Sequence, residues 1–148
     1  MLIRIASQAD VAEIAKMNVA MAKETEAKNL VQATIEKGVS NAIRQDVGLY
    51  FLAYKSEHVL GTLMVTKEWS DWRNAFFWWI QSVYIPLEHR RKGVYRALHS
   101  HVRKAAKEAP NVCGLRLYVD RDNTNAQKTY AAMGMAASNY LFFEELLD

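Results

Sequence analysis

Apolar and polar positions along this chain follow two periods. Leu2-Ile3-Arg4-Ile5 reads as a short strand. Ser7-x-x-Asp10 follows as a helix-starting capping box with Asp in the Glu position. Val11, Ile14, Asn18 and Met21 then recur at helical spacing, with Ala15 and Ala22 beside them, and predict a helix to about Thr25. Its acidic end, Glu24 and Glu26, opposes the helix dipole. A solvated helix end or a functional use would each account for it. Ile35, Val39 and Ile43 mark one face of a second helix over residues 31–46, weakened by Gly38. The period then falls to two. Residues 49–54 and 59–66 read as a hairpin about Lys55-Ser56-Glu57-His58, and Gly61 signals a bulge or a close backbone approach. Past the loop Trp69-Ser70-Asp71-Trp72-Arg73-Asn74, residues 75–85 are a long apolar strand. Val94, Ala97, Leu98, His101, Val102 and Ala105 share a helix face that ends before Pro110, with His101 expected to be a partly buried histidine. Residues 113–120 form the next strand. Leu115, Leu117 and Val119 face one way; Arg116, Tyr118 and Asp120 face the other. Asn123-Thr124-Asn125 caps a helix carrying Ala126, Thr129, Tyr130 and Met133, with Gly134 as its C-cap. Residues 140–146 are expected to close the chain as a strand.

This order predicts an α/β (α+β) fold. The early strands pair antiparallel through short turns. The strands at 75–85 and 113–120, joined by a helix, make a right-handed parallel βαβ unit. The 148 residues suit one domain, 1–148, large enough for a core without staples. The lone Cys113 excludes an internal disulfide and a cysteine-based zinc site. His99 and His101, two apart on a helix, cannot share a metal, and no metal is expected. Neither a leader pattern nor a run of about 20 apolar residues is present, so a soluble, cytoplasmic protein away from membranes is expected. Net charge is +3, and the excess is local: Arg90 to Lys107 holds seven Lys or Arg and no Asp or Glu. That suits a solvated helix face or attraction to a polyanion. No helix-turn-helix, zinc finger or RNA-binding signature accompanies it, so nucleic acid is not the expected partner.

The stretch from Trp79 to Arg96, WIQSVYIPLEHRRKGVYR, holds the chemistry. A strand turns at Pro86-Leu87-Glu88 and enters a helix through Arg90-Arg91-Lys92-Gly93-Val94. The first N–H groups of a helix lack partners within it and carry the positive end of the dipole, so such a turn is an anion site. Gly93 lets the backbone approach a ligand closely. Arg90-x-x-Gly93 after an apolar strand resembles the pyrophosphate loop of the GNAT superfamily of N-acetyltransferases, Gln/Arg-x-x-Gly-x-Gly/Ala. Tyr95 departs from it at the Gly/Ala position. Asn123-x-x-Ala126-x-x-x-Tyr130-x-x-x-Gly134 resembles a second element of that family, in the right order and at the right distance.

The resemblance implies a mixed twisted sheet flanked by helices, with the two parallel strands splayed. Acetyl-CoA would lie in the splay as co-substrate. Val83, Tyr84 and Ile85 would bond its pantetheine arm, and Arg90, Arg91, Lys92, Gly93, Val94, Tyr95 and Arg96 would form the diphosphate cradle. Asn123 would contact the arm, and Tyr130 would protonate the departing thiolate. The acceptor would be a primary amine of a small molecule or peptide. A strand N–H near Val83 or Tyr84 would polarise the thioester carbonyl. Family members often use a strand Glu as base, but residues 75–85 hold none; Gln81 is their only amide. Glu24, Glu26 and Asp71 remain candidates for the base. Glu24, Glu26, Trp72 and Gln81 are the candidate acceptor-site residues. The tryptophans would fill the core and a dimer surface, or wall the acceptor site; the aromatic-rich chain permits a homodimer. A CoA-binding sensor without turnover is the alternative, ahead of a basic nucleic-acid-binding module. Arg116, if buried in its strand, must pair, with Glu24 or Glu26 as expected partners.

Overall fold

Strand β1 (Leu2–Ile5) opens the computed structural model, which describes residues 1–147. A 3-10 turn, Gln8–Asp10, joins it to α1 (Val11–Glu26). The capping box forms: the Ser7 N–H donates to Asp10 Oδ2 at 2.8 Å. The guanidinium of Arg4 donates to the same carboxylate at 2.7 and 2.8 Å, tying the strand to the helix start. Helix α2 (Gln32–Arg44) precedes β2 (Leu49–Lys55), β3 (His58–Ser70) and β4 (Ala75–Tyr84). Helix α3 (Val94–Glu108) leads to β5 (Val112–Arg116), and α4 (Thr124–Ala132) follows. The chain divides into two compact units, Met1–Leu117 and Tyr118–Asp148.

The first unit holds a five-stranded sheet in the order β1-β2-β3-β4-β5. Every neighbouring pair is antiparallel except β4 and β5, which are parallel across α3. The sheet is thus mixed, as expected. Alternation in β2 divides the core, because successive side chains leave opposite faces of a strand. Phe51 and Ala53 pack with Leu63, Val65, Trp78 and Ile80 against Val94, Leu98, Val102 and Ala106 of α3. Tyr50 and Leu52 pack on the other face with Ala6, Ile14 of α1 and Val39 of α2.

Several expectations change. The strand foreseen over 113–120 ends at Arg116, its ladder to β4 closing at Trp79↔Arg116. Apolar alternation continues to Val119, but alternation states only a preference; a strand also needs a partner. Arg116 pairs with Glu68 of β3, not Glu24 or Glu26, and lies 3.5 Å above the Phe77 ring centroid. Glu68 became available because β3 extends past Thr66 to Ser70. His101 is partly buried and meets Phe51 edge to face at 5.6 Å, while His99 is the fully buried histidine of α3.

The second unit consists of α4, capped at both ends, and an irregular segment. Asn123 Oδ1 accepts the Ala126 N–H at 3.1 Å. Gly134 turns the chain at φ 91°, and the Met135 N–H returns to the Tyr130 carbonyl at 3.0 Å. Residues 140–146, expected as a strand, enter no ladder, and Leu141, Phe142, Phe143 and Leu146 are exposed.

Candidate functional site

Three features meet where β4 gives way to α3. The first is a bulge. Opposite β3 the register runs Met64↔Gln81 and then Thr62↔Tyr84, so β4 carries one extra residue. Ser82 takes it up at φ 50°. A bulge leaves the extra residue's backbone outside the ladder and re-aims its neighbours. Gly61 of β3 lies against this point: a Cβ there would run into Ile85 Cδ1 and lie 3.2 Å from the Tyr84 carbonyl. The side chains of Val83 and Ile85 turn to the α3 core, while Thr62 buries a hydroxyl for which no partner is found among the described residues.

The second feature is a turn. Leu87–His89 forms a 3-10 turn, Arg90 is extended, and Arg91 at φ 59° and Gly93 at φ 77° are left-handed. Gly93 immediately precedes α3 as its N-cap. Its left-handed backbone favours glycine, and a Cβ on it would meet nothing within 4 Å, so the flank of the turn is open. The N-terminus of a 15-residue helix, α3, therefore follows directly on two left-handed residues, Arg91 and Gly93. Arg91, Lys92 and Arg96 are exposed around it.

The third is a polar cluster that fixes the turn to the strand. Arg90 donates through Nε to the Ile85 carbonyl at 2.8 Å and pairs through Nη2 with Glu24 Oε1 at 2.6 Å. The Tyr84 hydroxyl donates to Glu24 Oε2 at 3.3 Å. Burial, then the Glu24 charge, pushes the Tyr84 phenol up and keeps it a donor. The end of α1 is thus clamped to the end of β4, which gives the acidic helix terminus a structural use. It also occupies both oxygens of Glu24, a candidate base.

The remaining candidates each have their own local contacts. Glu26 is exposed and pairs with Lys28 at 3.5 Å. Gln81 donates to Thr66 Oγ1 across the β3–β4 ladder. Trp72 is 87% exposed in the turn at the opposite end of β4, about 30 Å along the strand from Tyr84 at 3.4 Å per residue. Asp71 Oδ1 accepts the Trp72 N–H at 2.9 Å in that same turn. Of the four tryptophans, Trp78 is buried in the core, whereas Trp69 and Trp72 are exposed. In the second unit, Asn123 caps α4, and burial pushes the Tyr130 phenol up. Among the described residues no group of three or more His, Cys, Asp or Glu could hold a metal, and no helix is long and apolar enough to cross a membrane.

Sequence reasoning missed the bulge at Ser82 and the Glu24–Arg90–Tyr84 clamp. The clamp had a signal, an acidic helix end that needed a cation; the bulge, set by the partner strand's register, left only Gly61 on that strand as a mark.

Residues 13–135 match the model of the acetyltransferase (GNAT) family. A possible acetyltransferase from Clostridium difficile 630 is 38% identical, with 99% of this chain and 97% of that one covered and a TM-score of 0.92. A predicted acetyltransferase from Clostridium acetobutylicum, solved with acetyl-CoA, is 11% identical with a TM-score of 0.81, covering 97% and 95%. A ribosomal-protein-alanine N-acetyltransferase from Brucella melitensis biovar Abortus 2308 is 16% identical with a TM-score of 0.81, covering 99% of each chain. The last two likenesses are of fold. No curated protein matches.

Proposed function

Because this chain belongs to the GNAT family of acetyltransferases, we propose that it is an N-acetyltransferase, moving acetyl from acetyl-CoA to a primary amine of a small molecule or peptide. The observation that carries this is the left-handed turn Arg91–Gly93 opening α3 with an unobstructed flank. Backbone N–H groups from Arg91 to Arg96 hold the diphosphate, and the exposed cations around them favour its approach. The backbone from Val83 to Ile85, where β4 ends, takes the peptide-like arm as an added strand would.

Each residue then has a task. A backbone N–H at the Ser82–Tyr84 bulge donates to the thioester oxygen as charge develops, the logic of a fixed oxyanion donor. The acceptor must arrive neutral. At pH 7 an amine of pKa about 10.4 is neutral in roughly one molecule in a few thousand, an α-amine in roughly one in seven. An α-amine or a low-pKa amine therefore needs the least help from a base. That suits a site with no carboxylate on β4 and with Glu24 already held by Arg90 and Tyr84. Tyr130, at the position of the family tyrosine, gives its proton to the departing thiolate; burial keeps the phenol protonated until then.

Thermal melting with CoA tests the binding half. Ligand at a hundred times its dissociation constant adds about 2.7 kcal/mol of stability, so a raised melting temperature is expected with CoA and none with oligonucleotides. Thiol release from acetyl-CoA with a panel of α-amines and ε-amines tests the transfer half. The occupied Glu24 and the carboxylate-free β4 also favour a second reading, a CoA-binding sensor. Stabilisation by CoA without thiol release for any amine would select it.

A further inference from the structure

Tyr95 stands where the family pattern has Gly or Ala, and its side chain is not loose. Its hydroxyl lies 2.9 Å from His99 Nδ1, and Arg103 Nη2 lies 3.2 Å from His99 Nε2. Residues four and eight apart on a helix share a flank, so the three side chains form one line along α3. His99 has no exposed surface. The direction of the bonds follows from chemistry. A guanidinium can only donate, so Nε2 must offer its lone pair. A neutral imidazole then carries its hydrogen on Nδ1 and donates it to Tyr95 Oη. Burial first, and the Arg103 charge second, push the His99 pKa down and keep the ring neutral. The rings of Tyr95 and His99 also meet edge to face, with centroids 5.6 Å apart at 69°.

We infer that Tyr95, His99 and Arg103 form a positioning lock that holds the Tyr95 ring on the flank of α3 and keeps the mouth of the Arg91–Gly93 turn clear for a diphosphate. The inference rests on the acetyl-CoA reading of that turn. Tyr95 is the second residue of α3, so its own N–H belongs to the helix-end donors while its ring sits beside them. An unanchored ring swings among rotamers, some of which cover those donors. Other members of the pattern avoid the problem with a small residue; this chain keeps the ring and ties it down. His99 and Arg103 act through Tyr95 and are positioning residues.

Calorimetric titration of the whole chain with coenzyme A tests this in five proteins: wild type, Tyr95→Phe, Tyr95→Ala, His99→Leu, and the Tyr95→Ala/His99→Leu double variant. Tyr95→Phe keeps the ring without its anchor and should weaken binding about three- to tenfold, the scale of one net hydrogen bond. His99→Leu should do the same. Tyr95→Ala keeps the backbone N–H but has no ring to misplace, so it should bind more tightly than Tyr95→Phe, and adding His99→Leu to it should change nothing further. A merely structural role for His99 would not depend on the residue at 95. Wild-type affinity in Tyr95→Phe overturns the lock. So does weaker binding in Tyr95→Ala than in Tyr95→Phe, since the side chain would then be touching the ligand. Should His99→Leu fail to fold, the partly exposed Tyr95→Phe still decides. Imidazole nitrogen NMR on the ligand-free chain separates the two layers: Nδ1 protonated and Nε2 bare is expected, and the opposite tautomer overturns the lock. The expected tautomer in a wild type that binds no coenzyme A defeats the diphosphate reading and, with it, the purpose assigned to the lock.

Discussion

Asp10 answers several donors at once: the Arg4 guanidinium through both oxygens, and the Ser7 backbone. The Arg4 hydrogen bond above all holds its carboxyl below the usual range. Replacing Asp10 with Ala removes the cap and is expected to cost about 1 kcal/mol in urea unfolding at pH 7. The sign of its pH dependence follows from the lowered pKa. The advantage is present in full above the unfolded value of about 3.9 and is lost as pH falls through the lower folded one. Wild type and variant should therefore converge in acid; a constant gap would count against the assignment. At the same scale, Tyr130→Phe is expected to lower turnover roughly ten- to a hundredfold with little change in CoA affinity. Equal loss of affinity would mean a binding role instead. Ser7-x-x-Asp10 was legible because a capping box is a local, four-residue object. The Glu68–Arg116 pair was not, because 48 residues separate its partners and only sheet register brings them together.

At the level of elements, β4 shows the division clearly. Its apolar run announces a central strand, and its place before a helix and a parallel partner follows from the chain order. The bulge that aims its end does not, since it exists only relative to β3. Gly61 is the one mark it left in the sequence, flagged as a bulge or a close backbone approach and found against Ile85 and the Tyr84 carbonyl. Gly61→Ala is expected to destabilise the chain by about 1–3 kcal/mol, as overpacking does, and to weaken CoA binding through the displaced end of β4. Unfolding curves and titrations that match wild type would remove this constraint from the site. The segment over residues 140–146 is the opposite case: a strand-like composition that finds no ladder.

For the first unit as a whole, the sheet is covered on both faces, by α3 on one and by α1 and α2 on the other. Leu98 of α3, fully buried against the sheet, should cost about 2–5 kcal/mol on truncation to Ala, measured by denaturant unfolding. A loss below 1 kcal/mol would mean that the α3 layer is looser than described. The sequence by itself determined the order and type of nearly every element, the capping residues, the basic turn into α3 and the family, since all of these depend on periodicity or on motifs within a few residues of one another. Only the tertiary structure decided which charges meet, which of two histidines is buried, where β4 breaks its ladder and what becomes of Glu24. Those outcomes depend on register and packing between segments far apart in the chain, where a shift of one residue exchanges every partner.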